Sequence, residues 1–175
     1  MSHDDAGLAG HLFSEGPHRA KEDKLQLFGQ FVGDWDIVED RFPQKDGSEL
    51  RFRGELHWAW ILDGLATQDV WMQYDESQKR NVPVGTTIRF HDEGIDAWRC
   101  IWITPNGSIV RTFIGRKDGD DIVLDGNTED GRPGQWIFFD ISRDEFKWKA
   151  LESKDGGRNW ELSGEMLIWR KGSLH

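Results

Sequence analysis

The clearest sign of this chain's architecture is Glu55–Tyr74, ELHWAWILDGLATQDVWMQY, in which two alternating runs flank Asp63-Gly64. An Asp-Gly pair in that setting favours a two-residue type I′ turn, because both central positions of the turn need a positive φ. Counting outward from the turn pairs Trp58 with Asp69. Paired residues share a face of the sheet, and one face is therefore predicted to carry Leu56, Trp58, Trp60, Thr67, Asp69 and Trp71. This face is an aromatic wall that contains one carboxylate.

The opposite face of the same hairpin carries a second polar group. The pairs predicted on it are Ala59 with Gln68, His57 with Val70, and Glu55 with Met72. We interpret Glu55, His57 and Gln68 as the solvated side of the strands. A register shifted by one residue would reverse every side chain, and in that alternative these three residues become the interior set and the site moves to them.

Composition excludes several classes of function. The 175-residue chain has 32 Asp and Glu residues against 22 Lys and Arg, a formal charge of −10. This balance argues against nucleic acid and anionic membranes as partners, because both need clustered basic side chains. No run resembles a transmembrane helix or a signal peptide, so a soluble, cytoplasmic protein is expected. The single cysteine, Cys100, fits a reducing compartment, and the sequence leaves open whether the chain is a monomer or a homodimer.

Two segments of different character precede the first strand. Residues 1–20 are polar and lack a period, which predicts a disordered or loosely docked tail before a single domain over residues 21–171. Lys21–Val32 has apolar residues at helical spacing, which predicts a short amphipathic helix. The first strand then begins near Gly33, with Trp35, Ile37 and Glu39 on one side.

The rest of the chain alternates strand-like runs with turn signals such as Asp46-Gly47, Asn106-Gly107 and Asp130-Gly131. The spacing predicts about ten strands in an all-β, antiparallel, up-and-down barrel. Counting from Asn106-Gly107 places one set of side chains on a shared face: Trp98, Cys100, Trp102, Arg111 and Phe113. Near the end of the chain the alternating set Phe146, Trp148, Ala150 and Glu152 is predicted to point inward. The expected interior is thus aromatic and carries Asp69, Arg111 and Glu152.

At this point the chain resembles a family. A short helix leading into Gly33-Asp34-Trp35, an up-and-down meander and a closing Trp169-Arg170 are similar to the lipocalin-like barrels of the calycin superfamily. Three longer stretches, ELHWAWILDGLATQDVW, GTTIRFHDEGIDAWRCIW and LESKDGGRNWELSGEM, resemble a largely uncharacterised group of small bacterial lipocalin-like proteins. The resemblance covers roughly Leu25 to Arg170 and implies a barrel with a ligand cavity. It carries over no catalytic residue.

Two functions from different classes follow from this interior. The first is binding of a small hydrophobic or aromatic molecule by residues of the cavity wall, namely Trp58, Trp60, Trp71, Trp98, Trp102, Phe113 and Trp148. The alternative is a cofactor-independent enzyme, an isomerase, cyclase, lyase or dehydratase, with Asp69, Arg111 and Glu152 as catalytic residues. Asp69 and Arg111 are further predicted to act as one electrostatic unit, because an unpaired ion on an aromatic face is strongly unfavourable.

No metal or cofactor is predicted. The histidines His3, His11 and His18 match no tight metal motif, and we interpret His91 as a turn residue. Some barrels related to this fold hold haem through a histidine, but no histidine falls on the predicted interior face. Cys100 has no His neighbour in its run and is interpreted as a small apolar filler.

Overall fold

A computed structural model describes residues 7–173, which form a closed ten-stranded antiparallel barrel. The all-β, up-and-down barrel predicted from the turn signals is confirmed. A two-residue strand, β1 (Phe13–Ser14), precedes the barrel. The barrel strands are β2 (Gly33–Pro43), β3 (Glu49–Ile61), β4 (Ala66–Asp75), β5 (Arg80–Asp92), β6 (Ala97–Thr104), β7 (Ile109–Asp118), β8 (Asp121–Asn127), β9 (Pro133–Phe139), β10 (Glu145–Glu152) and β11 (Glu161–Arg170). Consecutive strands pair throughout, and β11 pairs with β2 to close the barrel.

Two short helices lie before the barrel. Helix α1 (Gly7–Leu12) leads into β1, which pairs with the end of β3. Part of the segment expected to be a tail, residues 7–20, therefore docks on the barrel, while residues 1–6 lie outside the described residues. The predicted amphipathic helix is α2 (Glu22–Gly29), and neither helix within residues 7–173 has the length and apolarity needed to cross a bilayer.

The two hairpin registers counted from the turns are confirmed. Trp58 pairs with Asp69, and both Asp63 (φ 57°) and Gly64 (φ 72°) have the positive φ that a type I′ turn requires. Trp102 pairs with Arg111 across the second hairpin. Its turn is a 3₁₀ helix over Pro105–Gly107 followed by left-handed Ser108, which leaves the predicted register unchanged.

Strand β2 departs from the predicted alternation. Ile37 pairs with Gly54 and Asp40 pairs with Phe52, so β2 has one more residue than β3 between these pairs. This β-bulge breaks the alternation. The prediction that Glu39 shares the inner side with Trp35 and Ile37 is wrong, because Asp40 takes the buried position, with 1% of its surface exposed.

The two ends of the barrel differ. Helix α2 fills one end, here called the helix end, where Leu25, Phe28 and Phe31 are completely buried. The opposite end, here called the far end, has the loops 44–48, 76–79, 105–108, 128–132 and 153–160. Space for a ligand therefore lies between the plugged helix end and the far end.

The GDW element has a physical explanation in this fold. The Arg170 guanidinium stacks over the Trp35 ring at 4.0 Å and donates hydrogen bonds to the carbonyl oxygens of Val32 and Gln30. A Cβ at Gly33 would lie 2.8 Å from Arg170 Nη1. Glycine at this position makes room for the arginine that ties the last strand to the α2–β2 junction.

Candidate functional site

The barrel encloses a cavity of about 160 Å³ between α2 and the far end. Its walls are mostly aromatic or aliphatic, with a small polar group on one side. The lining residues are Phe42, Leu56, Trp58, Asp69, Trp71, Thr87, Arg89, Trp102, Trp136, Phe138, Phe146, Trp148, Met166 and Ile168. An engineered cavity of roughly 150 Å³ with apolar walls binds benzene, so this space has the size of one aromatic ring.

An aromatic layer forms the far-end side of the cavity. Phe42, Trp71, Trp102, Trp136 and Trp148 follow one another in ring contact, with centroid separations between 5.3 and 6.3 Å. The Phe42–Trp71 pair is stacked and the other three are tilted or edge-to-face, arrangements that stabilise aromatic clusters beyond the area they bury. The layer lies on the side of the cavity toward the loops of the far end.

The polar group in the cavity wall is an ion pair between Asp69 and Arg89. Arg89 Nη1 donates a hydrogen bond to Asp69 Oδ2, and the two side chains are only 4% and 3% exposed. Arg89 also stacks over the Trp58 ring at 4.2 Å. Burial raises the pKa of Asp69, while Arg89 and Thr87 oppose that rise by pairing with the charged carboxylate.

The prediction that Asp69 and Arg111 form one electrostatic unit is wrong. Asp69 pairs with Arg89 on the neighbouring strand, whereas Arg111 donates two hydrogen bonds to Glu129, one of them from Nη2 over 2.7 Å. Glu152 lies near Arg111, with 3.8 Å between Oε1 and Nη2, and it also pairs with Arg132. Arg111 and Glu152 therefore lie together at the far-end rim and not among the cavity-lining residues.

Of the seven side chains predicted to line the cavity, Trp58, Trp71, Trp102 and Trp148 do so. The other three, Trp60, Trp98 and Phe113, belong to the core instead. Trp60 packs on Gly29 of α2, where a Cβ would lie 2.4 Å from its ring, and Trp98 packs edge-on against Phe28. The helix thus covers the inner side of the hairpin near the helix end and leaves the cavity to the far-end half.

Sequence reasoning missed several lining residues, above all Arg89 and Trp136. Trp136 alternates with Phe138 in GQWIFF between two turn signals, and this pattern was a usable sign of an inward face. The sign for Arg89 was indirect, because Pro83 and Gly85 within its strand favour a bulge there. Continued pairing from Asp75–Arg80 would place Asp69 opposite Thr86, but a bulge near Trp71 shifts the register and pairs Asp69 with Thr87. That shift turns Arg89 inward.

Asp40 is the second unexpected interior carboxyl. Neither of its oxygens has a hydrogen bond of good geometry, although the Gln73 amide is near enough to lower its pKa somewhat. Burial dominates and raises the pKa of Asp40 from 3.8 to about 7. Its neighbours on the inner face, Phe42 along the strand and Met166 across from it, both line the cavity.

The outer polar group of the central hairpin stays outside the barrel, because the register has not slipped. His57 is 41% exposed and its Nδ1 lies 2.7 Å from the Asp34 carboxylate. His91 lies in β5 and not in a turn, packed against Trp98 with Nε2 3.3 Å from Asp96. Within residues 7–173 no cluster of three His, Cys, Asp or Glu side chains could hold a metal ion, and no histidine lines the cavity.

Cys100 occupies the position expected of an apolar filler. Only 1% of its surface is exposed, and burial raises the pKa of its thiol to about 12. A thiol held in its neutral form is neither a nucleophile nor a metal ligand.

Comparison with known proteins shows a similarity in structure. No family model and no curated protein matches the chain. Rv2717c from M. tuberculosis has a similar structure, with a TM-score of 0.57 and 11% identity over 85% of this chain and 97% of that one. The S-type phycobiliprotein lyase CPES from Guillardia theta has a TM-score of 0.59 and 11% identity over 85% of this chain and 93% of that one. These likenesses show the fold, a lipocalin-like antiparallel barrel, which agrees with the barrel that the sequence resemblance implied.

Proposed function

We propose that this barrel binds a small hydrophobic or aromatic molecule in the cavity between α2 and the aromatic layer. One observation carries the proposal: a cavity of about 160 Å³ among tryptophan and phenylalanine rings, with one ion pair in its wall. Ligand sites commonly combine an apolar wall with a few polar groups that fix orientation. Close packing leaves few voids larger than a water molecule in an ordinary core.

The volume limits the size of the ligand. Sites for drug-sized molecules are roughly 300–1,000 Å³, about two to six times the volume of this cavity. A pigment of several linked rings exceeds the volume of this cavity. A compound with one aromatic ring is therefore the ligand class that this cavity supports.

A size series of uncharged aromatic compounds tests the proposal. Isothermal titration with toluene, naphthalene and anthracene is expected to show binding that weakens as rings are added. Leu56→Phe introduces a ring from the cavity wall and is expected to abolish toluene binding. Val110→Phe, at a position that is 65% exposed, is the matched control and should bind as the native chain does. Absence of heat with every member of the series would contradict the proposal.

A second candidate, proton transfer without a cofactor, is favoured by Asp40, which does not itself line the cavity but is next to two residues that do, Phe42 along the strand and Met166 across from it. A carboxyl that is buried, without a good hydrogen bond and close to half-protonated at neutral pH has the properties of a general acid–base group. The alternative drawn from the sequence gave this role to Asp69 or Glu152, both of which are ion-paired. Asp40 is the better candidate because no cation neutralises it.

Exchange of α-hydrogens for deuterium in acetophenone tests this second candidate by NMR in D₂O. Asp40 would accept an α-proton and a deuteron would return to the same carbon. We expect the native chain to accelerate the exchange, and Asp40→Asn to remove the acceleration while acetophenone still binds. Equal exchange with and without protein would eliminate proton transfer and leave the binding function untouched.

A further inference from the structure

The cavity-lining residues carry N–H donors that no acceptor in the protein satisfies. These are the indole Nε1 of Trp58, the indole Nε1 of Trp71 and the Nε of Arg89, all three buried. A buried donor without a partner destabilises the fold, because it has lost its hydrogen bonds to water. Three such groups around one small cavity are more than an apolar core needs.

The three donors lie on one side of the barrel. Trp58, Trp71 and Arg89 belong to the adjacent strands β3, β4 and β5. The facing strands β9 and β10 contribute only hydrocarbon-rich rings to the cavity: Trp136, Phe138, Phe146 and Trp148. A molecule between the two walls would place its polar atom toward β3–β5 and its ring toward β9 and β10.

The residues that line the cavity offer no free carboxylate in return, since Asp40, whose oxygens are unpaired, is not among them. Both carboxylate oxygens of Asp69 have partners, with Arg89 on one and Thr87 providing further hydrogen bonds. Asp69 and Arg89 are the only charged residues among those that line the cavity, and their charges cancel. An amine would find no partner there, and a carboxylate would add an unpaired charge in an apolar space, which is strongly unfavourable.

We propose that the ligand is a neutral, single-ring aromatic compound with a carbonyl-type acceptor, oriented by the donors of Trp58, Trp71 and Arg89. The inference rests on the proposed binding function and adds the chemical class of the ligand. Because a neutral hydrogen bond contributes about 0.5–1.5 kcal/mol, the carbonyl compound should bind about two- to twelvefold more tightly than a hydrocarbon of the same shape.

Four probes of nearly equal shape distinguish the alternatives by isothermal titration. They are acetophenone (neutral acceptor), cumene (hydrocarbon), benzoate (anion) and α-methylbenzylammonium (cation). We expect acetophenone to bind most tightly, cumene next, and the two ions without measurable heat. Cumene and acetophenone with equal affinity would overturn this inference and leave the binding function standing. Failure of all four to bind would remove the binding function itself.

Two tryptophan substitutions locate the effect. Trp71→Phe removes the Nε1 donor and keeps an aromatic ring. The affinity for acetophenone should therefore fall toward the affinity for cumene, while the affinity for cumene changes less than twofold. Trp102→Phe is the matched control, since Trp102 lines the cavity but its indole nitrogen is not among the unpaired groups. It should change both affinities by the same factor. If Trp71→Phe does not fold, Trp58→Phe takes its place, and an unchanged acetophenone-to-cumene ratio in the variant that folds would overturn the inference.

Discussion

Asp69 and Arg89 form an ion pair inside the barrel, between adjacent strands and against the face of Trp58. The two residues are diagonal neighbours, because Asp69 pairs with Thr87 and Thr67 pairs with Arg89. Removing one partner of a buried pair leaves an uncompensated charge, and removing both does not. The pair is therefore the point in the cavity wall that is most sensitive to a single change.

We expect Asp69→Asn and Arg89→Met each to lower the free energy of unfolding by about 3–5 kcal/mol. The double substitution should cost clearly less than the sum of the two, because neither charge is left alone. Urea denaturation of the four proteins measures this coupling. The pair Asp69 and Arg111 is the control and should be additive, since Arg111 pairs with Glu129 at the rim. Additive effects for Asp69 and Arg89 would contradict the assigned pair.

Asp40 should make stability depend on pH. Its pKa of about 7 in the fold lies above the ordinary value of 3.8, so folding favours the protonated form. The stability that protonated Asp40 contributes is fully present below about pH 4 and is lost as the pH rises through 7. The difference between the two pKa values corresponds to a change of about 4 kcal/mol at most in the free energy of unfolding.

Comparison of the native chain with Asp40→Asn isolates this effect. The variant should gain stability relative to the native chain as the pH increases from 4 to 8. Asp125→Asn, at an exposed carboxylate on β8, is the control and should leave the pH profile nearly unchanged. A constant difference between native and Asp40→Asn over that range would show that Asp40 ionises normally.

Gly85 should not tolerate a side chain. A Cβ there would lie 2.4 Å from the Trp102 ring and 2.5 Å from the carbonyl oxygen of Ile103. We expect Gly85→Ala to destabilise the fold by about 1–3 kcal/mol and to alter the near-ultraviolet dichroism of the indoles. Gly134→Ala, where the nearest atom would be 3.6 Å away, is the matched change and should be tolerated. Equal stability of the two variants would contradict the close packing of Trp102.

Replacement of Arg170 by lysine is expected to destabilise the fold. Its guanidinium joins three carbonyl oxygens, those of Val32, Gln30 and Arg143, while stacking on Trp35. Lysine keeps the charge but loses the planar fork, so Arg170→Lys should cost about 1.5–3 kcal/mol in thermal or urea unfolding. Arg158→Lys, at an exposed position, should have little effect. If Arg170→Lys were as stable as the native chain, the charge alone and not the guanidinium fork would matter at this position.

The local sequence determined the barrel and half of its interior. Asp63-Gly64 and Asn106-Gly107 each fix a hairpin through short-range turn geometry. From those turns the inward positions of Trp58, Asp69 and Trp102 follow by counting, and the structure confirms them. Where a turn has a clear sequence motif and the strands beside it have no bulge, the sequence alone was sufficient to predict which side chains point inward.

Only the tertiary structure decided which partner each interior charge has. A bulge in β2 turns Asp40 inward, and a bulge between β4 and β5 turns Arg89 inward. The bulge in β5 has a sequence signal, since Pro83 and Gly85 flank Val84 and such residues within a strand mark bulges. The bulge in β2 has no such signal of its own, since Glu39 is an ordinary strand residue. Bulges adjust the stagger between strands, and closing a barrel links the stagger of all its strands. The faces of Asp40 and Arg89 are therefore set together with the closure of the whole sheet, which counting from the turns does not give.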